Sequence, residues 1–95
     1  MKITIESLSL PTLSAVIGRK AEMDFNGRTM ADLVSQLASR FGPKAREALL
    51  DSEGQLDMTI QVMVNEEGFL KRDELPRREL QDGDRIRFML LVGGG

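Results

Sequence analysis

The stretch Leu80-Gln81-Asp82-Gly83-Asp84-Arg85-Ile86-Arg87-Phe88-Met89-Leu90-Leu91-Val92-Gly93-Gly94-Gly95 decides how this chain is read. Asp82-Gly83 is turn chemistry, because aspartate bonds nearby backbone and glycine tolerates a left-handed φ. Arg85 to Val92 then reads as the last strand. If Ile86, Phe88 and Leu90 face a helix, Arg85, Arg87, Met89 and Leu91 face away from it. The strand runs into Gly93-Gly94-Gly95. Glycine loses more backbone freedom on ordering than any other residue and has no side chain to bury. Val92 to Gly95 fully extended reach ~13 Å, at ~3.3 Å per residue. Such a tail is slim enough to thread a carboxylate into a narrow slot of another protein. The plain alternative is a frayed, inert end.

Working upstream, Met58 to Val64 alternate, with Met58, Ile60, Val62 and Val64 on one face and Thr59, Gln61 and Met63 on the other. This predicts a third strand. Asn65-Glu66-Glu67-Gly68 is a turn. Residues 69–80 are charged and carry Pro76; they predict a short edge strand anchored by Phe69, Leu75 and Leu80. Thr29 to Phe41 is the main helix, with Met30, Leu33, Val34, Leu37, Ala38 and Phe41 in one stripe. Thr29 suits its N-cap and Asp32 its first turn. Gly42 stops it, and Pro43 opens a second short helix over 43–50. Asp51 to Gly54 is a loop.

At the N-terminal end, residues 2–6 predict a first strand with Ile3 and Ile5 inward. Pro11 and Gly18 bracket 7–19, which reads as a long connection with Leu8, Leu10 and Leu13 partly tucked against the core. A second strand is expected near Lys20 to Phe25, with Ala21, Met23 and Phe25 on one face. Asn26-Gly27 turns the chain. The order predicts an α+β fold, with a mixed sheet packed on one main helix and the first and last strands paired in its centre.

Composition narrows the function. The 95 residues make one domain, read as 1–91, followed by a flexible glycine tail, 92–95. A net charge of −2 gives no electrostatic footprint for nucleic acid. With neither cysteine nor histidine, disulfides, thiol catalysis, imidazole bases and the usual zinc ligands are excluded. The apolar run from Phe88 to Val92 is too short to span a bilayer, and Met1-Lys2-Ile3-Thr4 reads as strand rather than signal peptide. A cytoplasmic location without membrane contact is therefore expected. Asp51, Glu53 and Asp57 lack the spacing of a calcium loop. Lys71, Arg72, Arg77 and Arg78 are interleaved with acids and read as a solvated face. Chemistry on this chain is expected to use it as substrate rather than catalyst.

The element order, the segment Leu80 to Ile86, Val64-Asn65-Glu66 followed by Gly68, and the terminal Gly94-Gly95 together resemble the ubiquitin-like β-grasp sulfur carriers. These are the small subunit of molybdopterin synthase (MoaD) and the thiamin sulfur carrier (ThiS). The likeness spans nearly the whole chain. It implies that the Gly95 carboxylate, reached past Gly94, is adenylated by a partner similar to ubiquitin-activating enzymes and converted to a thiocarboxylate. ATP and magnesium would be used by that adenylyltransferase, and no cofactor would be held stably by this chain. The sulfur would pass to an acceptor enzyme, such as the large subunit of molybdopterin synthase or thiazole synthase. The long first hairpin and residues 43–57 depart from compact members. Length and helix region look more like the molybdopterin type; Val92 and the triple glycine look more like the thiamin type.

A partner also needs a surface to hold. Met89 and Leu91 are apolar on the solvent side of the last strand, with Met63 beside them if the third strand pairs there. Met63, Arg85, Arg87, Met89, Leu91, Val92 and Gly93 thus form the expected partner-binding set, unless residues 7–19 or 69–80 cover them. Two other classes share the fold: a ubiquitin-like modifier conjugated through its terminal glycine, and an interaction module with an inert tail.

Overall fold

The structure is a computed structural model, and it describes residues 1–90. In chain order the elements are β1 (Lys2–Leu8), α1 (Pro11–Ile17), β2 (Lys20–Asp24), α2 (Met30–Phe41), α3 (Pro43–Leu49), β3 (Ile60–Val64), a 3-10 turn (Arg72–Glu74) and β4 (Arg85–Leu90). The strands form one sheet in the order β2-β1-β4-β3. β1 and β4 are parallel in the centre, and β2 and β3 flank them antiparallel. This is the mixed β-grasp sheet that the element order predicts.

α2 forms where its end signals agree with its apolar stripe. Thr29 accepts a hydrogen bond from the Asp32 amide, and the Asp32 carboxylate accepts back from the Thr29 amide at 3.1 Å. The Arg28 amide adds a third bond at 3.0 Å. These backbone amides stabilise the carboxylate and hold the Asp32 pKa below its usual value. Gly42, at φ 82°, breaks the helix, and Pro43 starts α3 in the first turn, where its missing N–H costs nothing. Met30, Leu33 and Leu37 are fully buried against Ile3, Ile5, Val62, Ile86 and Phe88, so stripe and sheet share one core. Phe41 packs at its margin.

Four expectations need correction. Residues 7–19 contain a helix, α1: Pro11 occupies its first turn, and Gly18 closes it by donating its backbone N–H to the Ser14 carbonyl. The two residues read as breakers are its ends. Second, β3 begins at Ile60, because the Asp57 carboxylate accepts from both the Thr59 amide and hydroxyl and turns the chain there. Met58 is consequently 77% exposed rather than inward. Third, residues 69–80 form no strand, only isolated bridges from Phe69 to Met63 and from Glu79 to Thr29 on either side of the 3-10 turn. Leu80 is buried and Leu75 packs at the core margin, but Phe69 is exposed. Fourth, Leu8 does not tuck against the core; it ends β1 at the surface.

Candidate functional site

The last strand positions everything near the tail, so what fixes its register matters. A polar clasp does this at its start. The Asn65 side chain donates to Asp84 Oδ1 at 3.0 Å and accepts from the Arg85 amide at 2.9 Å. Asp84, itself buried, also accepts from the Gln81 amide at 2.8 Å. Asn65 takes a left-handed φ of 53°, which asparagine tolerates better than most residues. Gly83, at φ 89°, donates to the Lys2 carbonyl, and Asp82 accepts from the Lys2 amide. The turn residues on either side of β4 therefore lock it to β1 and β3 at once.

With that register, Ile86 and Phe88 are fully buried, while Arg85, Arg87 and Met89 lie on the opposite face of the sheet. Met63 stands opposite Arg87, and Gln61 opposite Met89. On the other flank, Glu6 pairs with Arg87 and Leu8 with Met89. Four of the expected residues, Met63, Arg85, Arg87 and Met89, thus share one surface. Leu91, Val92, Gly93, Gly94 and Gly95 lie outside the described residues. Leu90, expected to face the helix, is 40% exposed, because β4 outruns the core at this end. It borders a small cavity of 160 Å³ with Leu10, Pro11 and Ala48.

The arginines are held within the molecule. Arg87 Nε donates to Glu6 at 3.1 Å, its Nη2 reaches Glu66 at 3.4 Å, and its Nη1 lies 3.7 Å from the Met63 sulfur. Arg85 pairs with the same Glu66. The face is therefore a charge-compensated platform with an apolar end at Leu8 and Met89. Sequence reasoning missed Glu6, Leu8 and Glu66. The signal for the first two was available: outward positions 2, 4, 6 and 8 continue the alternation of β1 by one more step. No cluster of potential metal ligands is present among the described residues. Among them, no helix is long and apolar enough to cross a membrane.

Residues 12–95 match the model of the ThiS family. A comparison of the sequence with curated proteins found no match. Among solved structures, the chain resembles SAMP1 from Haloferax volcanii, with 22% identity, TM-score 0.75 and 100% of each chain covered. It resembles a chain of the Amycolatopsis orientalis BexX/CysO complex with 26% identity, TM-score 0.63, and coverage of 98% of this chain and 99% of that one. A putative molybdopterin converting factor subunit 1 from Pyrococcus furiosus shares 17% identity at TM-score 0.66, covering 97% and 99% of the two chains.

Proposed function

Because the chain belongs to the ThiS family, we propose that it is a sulfur carrier acting through the Gly95 carboxylate. The observation that carries this reading is the family match, which runs to residue 95 and so includes the diglycine end. The platform leading to that end supports it: Leu8 and Met89 pair beside the strand from which the tail departs. A carboxylate oxygen attacks the α-phosphorus of ATP on a partner adenylyltransferase, and pyrophosphate leaves. Sulfide then attacks the acyl carbon and AMP leaves, giving the thiocarboxylate; a persulfide donor gives an acyl disulfide instead, which a second thiol of the donor protein cleaves to the thiocarboxylate and a disulfide. A free carboxylate is a poor electrophile, so activation must come first. It also needs an enclosed, dry site, which a rigid domain cannot enter but glycines can. The recipient of the sulfur is an enzyme of cofactor biosynthesis, for which the molybdopterin type is favoured by chain length and helix region and the thiamin type is the other choice.

The test is deletion of Gly95. It withdraws the carboxylate by ~3.3 Å, against a tolerance of about 1 Å for a near-attack geometry. The expected result is loss of ATP–pyrophosphate exchange with the cognate activating enzyme and no thiocarboxylate by mass spectrometry, at unchanged thermal stability. Normal adenylation of the shortened chain refutes the carrier reading. An isopeptide conjugate of the full chain in its native cell would instead make it a modifier.

A further inference from the structure

The two edges of the sheet differ. The outer edge of β3 is taken by the chain itself, through the Leu70 amide on the Val62 carbonyl and the bridge from Met63 to Phe69. β2 forms the other edge, and among the described residues it pairs with β1 alone. In an antiparallel pair, both backbone groups of a residue point to the same side, and successive residues alternate. The Phe25 amide donates to the Met1 carbonyl, and the Ser7 amide to the Arg19 carbonyl. Odd-numbered residues of β2 therefore face β1. Lys20, Glu22 and Asp24 turn their N–H and C=O groups outward, where no partner meets them among the described residues.

Both ends of this open stretch are closed by the chain. The next residue in step is Asn26. Its amide donates to Gln36 Oε1 at 3.4 Å, and its carbonyl accepts from Gln36 Nε2 at 3.2 Å. The Gln36 side-chain amide thus fills the place of a paired strand residue. At the other end, the Gly18 amide donates to the Ser14 carbonyl, and the Gly18 carbonyl accepts from the Ser7 hydroxyl. Lys20, Glu22 and Asp24 are left as a template with defined limits, and an unpaired strand edge is a ready site for another strand.

Charge says which strand fits. Lys20, Glu22 and Asp24 are all exposed, and none forms an ion pair among the described residues. Across β1, Asp24 stands opposite Lys2 and Lys20 opposite Glu6, but neither pair closes, and the Glu6 carboxylate is bonded to Arg87. The open stretch therefore carries a cation at one end and an anion at the other. Charges on an edge ordinarily keep strands apart. This order does so for a parallel copy, which sets Lys20 beside Lys20 and Asp24 beside Asp24, but an antiparallel copy sets each Lys20 beside Asp24. We propose that β2 pairs antiparallel with β2 of a second copy, about a two-fold axis at Glu22. In that register all three outward residues of each chain form hydrogen-bonded pairs, Lys20 with Asp24, Glu22 with Glu22 and Asp24 with Lys20. A shift by two residues sets Lys20 against Glu22 but leaves Asp24 facing Gly18, whose backbone groups are already bonded. The one adverse contact is Glu22 with its copy at the axis, since like charges directly opposite are destabilising. The site does not involve the tail, so it stands apart from the carrier reading.

The test is a dilution series of the full chain, labelled with 15N, at low salt. A short edge contact makes a transient dimer, so a Kd on the order of 0.1–1 mM is expected. The Lys20, Glu22 and Asp24 amides should shift with concentration and gain protection from hydrogen exchange. Lys20→Asp and Asp24→Lys, both on exposed side chains, should each weaken self-association about tenfold while their spectra stay folded. An equal mixture of these two variants sets an Asp opposite a Lys at both ends, so it should associate at least about tenfold more tightly than either variant alone. Glu22→Gln removes the adverse contact and should tighten the dimer about threefold. The chain lacking Gly95 should associate as the full chain does. A mixture no tighter than its components, weakening by Glu22→Gln, shifts confined to the β3 edge or the Leu8 and Met89 face, or no concentration dependence overturns the proposal. So does a chain that stays monomeric while a capped peptide Thr-Val-Thr-Val-Thr shifts the same amides, which would assign the edge to a foreign strand.

Discussion

Replacing Arg87 by methionine tests whether the outer face is an internally tied platform. Arg87 lies at the centre of that face, on β4, and touches Glu6 of β1, Met63 of β3 and Glu66 beyond it. Its side chain is 23% exposed, and that of Glu6 is 16% exposed. Methionine keeps most of the aliphatic stem and removes the charge. The Glu6 carboxylate then has no remaining bond among the described residues. An exposed pair contributes about 0–1 kcal/mol, while breaking a fully buried pair costs about 3–5 kcal/mol. Glu6–Arg87 lies between these, so Arg87→Met should destabilise by about 2 kcal/mol and Glu6→Gln by about 1 kcal/mol. The double variant should recover part of the loss, with a coupling of about 1 kcal/mol.

Urea unfolding followed by circular dichroism suits this chain, which has no tryptophan or tyrosine to report by fluorescence. At about 4–8 °C per kcal/mol for a domain of this size, Arg87→Met should also lower Tm by about 10 °C. Strict additivity of the two single changes, with a coupling under about 0.3 kcal/mol, refutes the reasoning. Arg87 would then be a screened cation free to turn toward a partner, and the platform would lose its centre.

Met89→Asp and Leu8→Asp should each weaken binding to the activating partner by tenfold or more, as about 1.4 kcal/mol of lost contact would, with little change in Tm; unfolding by either would place these side chains in the core. Asn65→Ala removes two side-chain bonds and the residue type that best tolerates φ 53°, so a loss of about 2–3 kcal/mol is expected by urea unfolding; wild-type stability would show the clasp to be ornamental. Acid unfolding should report Asp32, whose folded pKa lies below its unfolded value of 3.8. Its contribution is complete above that value and is lost as pH falls through the lower folded value. Asp32→Asn should therefore flatten the stability profile below about pH 4, and an unchanged profile there would contradict the capping geometry.

Much of this fold is written locally. Thr29 and Asp32 announce the start of α2, Gly42 and Pro43 its end, and the stripe between them names its buried face. Alternation along β4 likewise separated Ile86 and Phe88 from Arg85, Arg87 and Met89. What could not be read is where one local signal carries two meanings. Pro11 and Gly18 stop regular structure in a longer stretch, yet they are the first turn and cap of the seven-residue α1. Met58 continues the alternation of β3, but Asp57 uses its carboxylate on Thr59 and turns the chain before the strand begins. The partners of the arginines were hidden for another reason. Glu6 and Arg87 are separated by 81 positions, and only the parallel register of β1 with β4 brings them together.

That register links the readable part to the functional part. Side chains alternate with a period of two, so a slip of β4 by one residue would exchange its faces. Arg85, Arg87 and Met89 would enter the core and Ile86 and Phe88 would face solvent. Asn65 and Asp84 oppose this at the first residue of the strand, by bonding the Arg85 amide and each other. Lys2 anchors the same turn from β1 through Asp82 and Gly83. The clasp therefore does more than close a turn. By fixing the register of six residues, it sets the side on which Met89 meets Leu8 and the direction in which the chain leaves Leu90. Under the carrier reading proposed above, both need to be invariant, since a partner would hold the platform while it receives the chain beyond β4. On that proposal, the polar turn at one end of β4 supplies the fixed frame from which the carboxylate beyond its other end is presented.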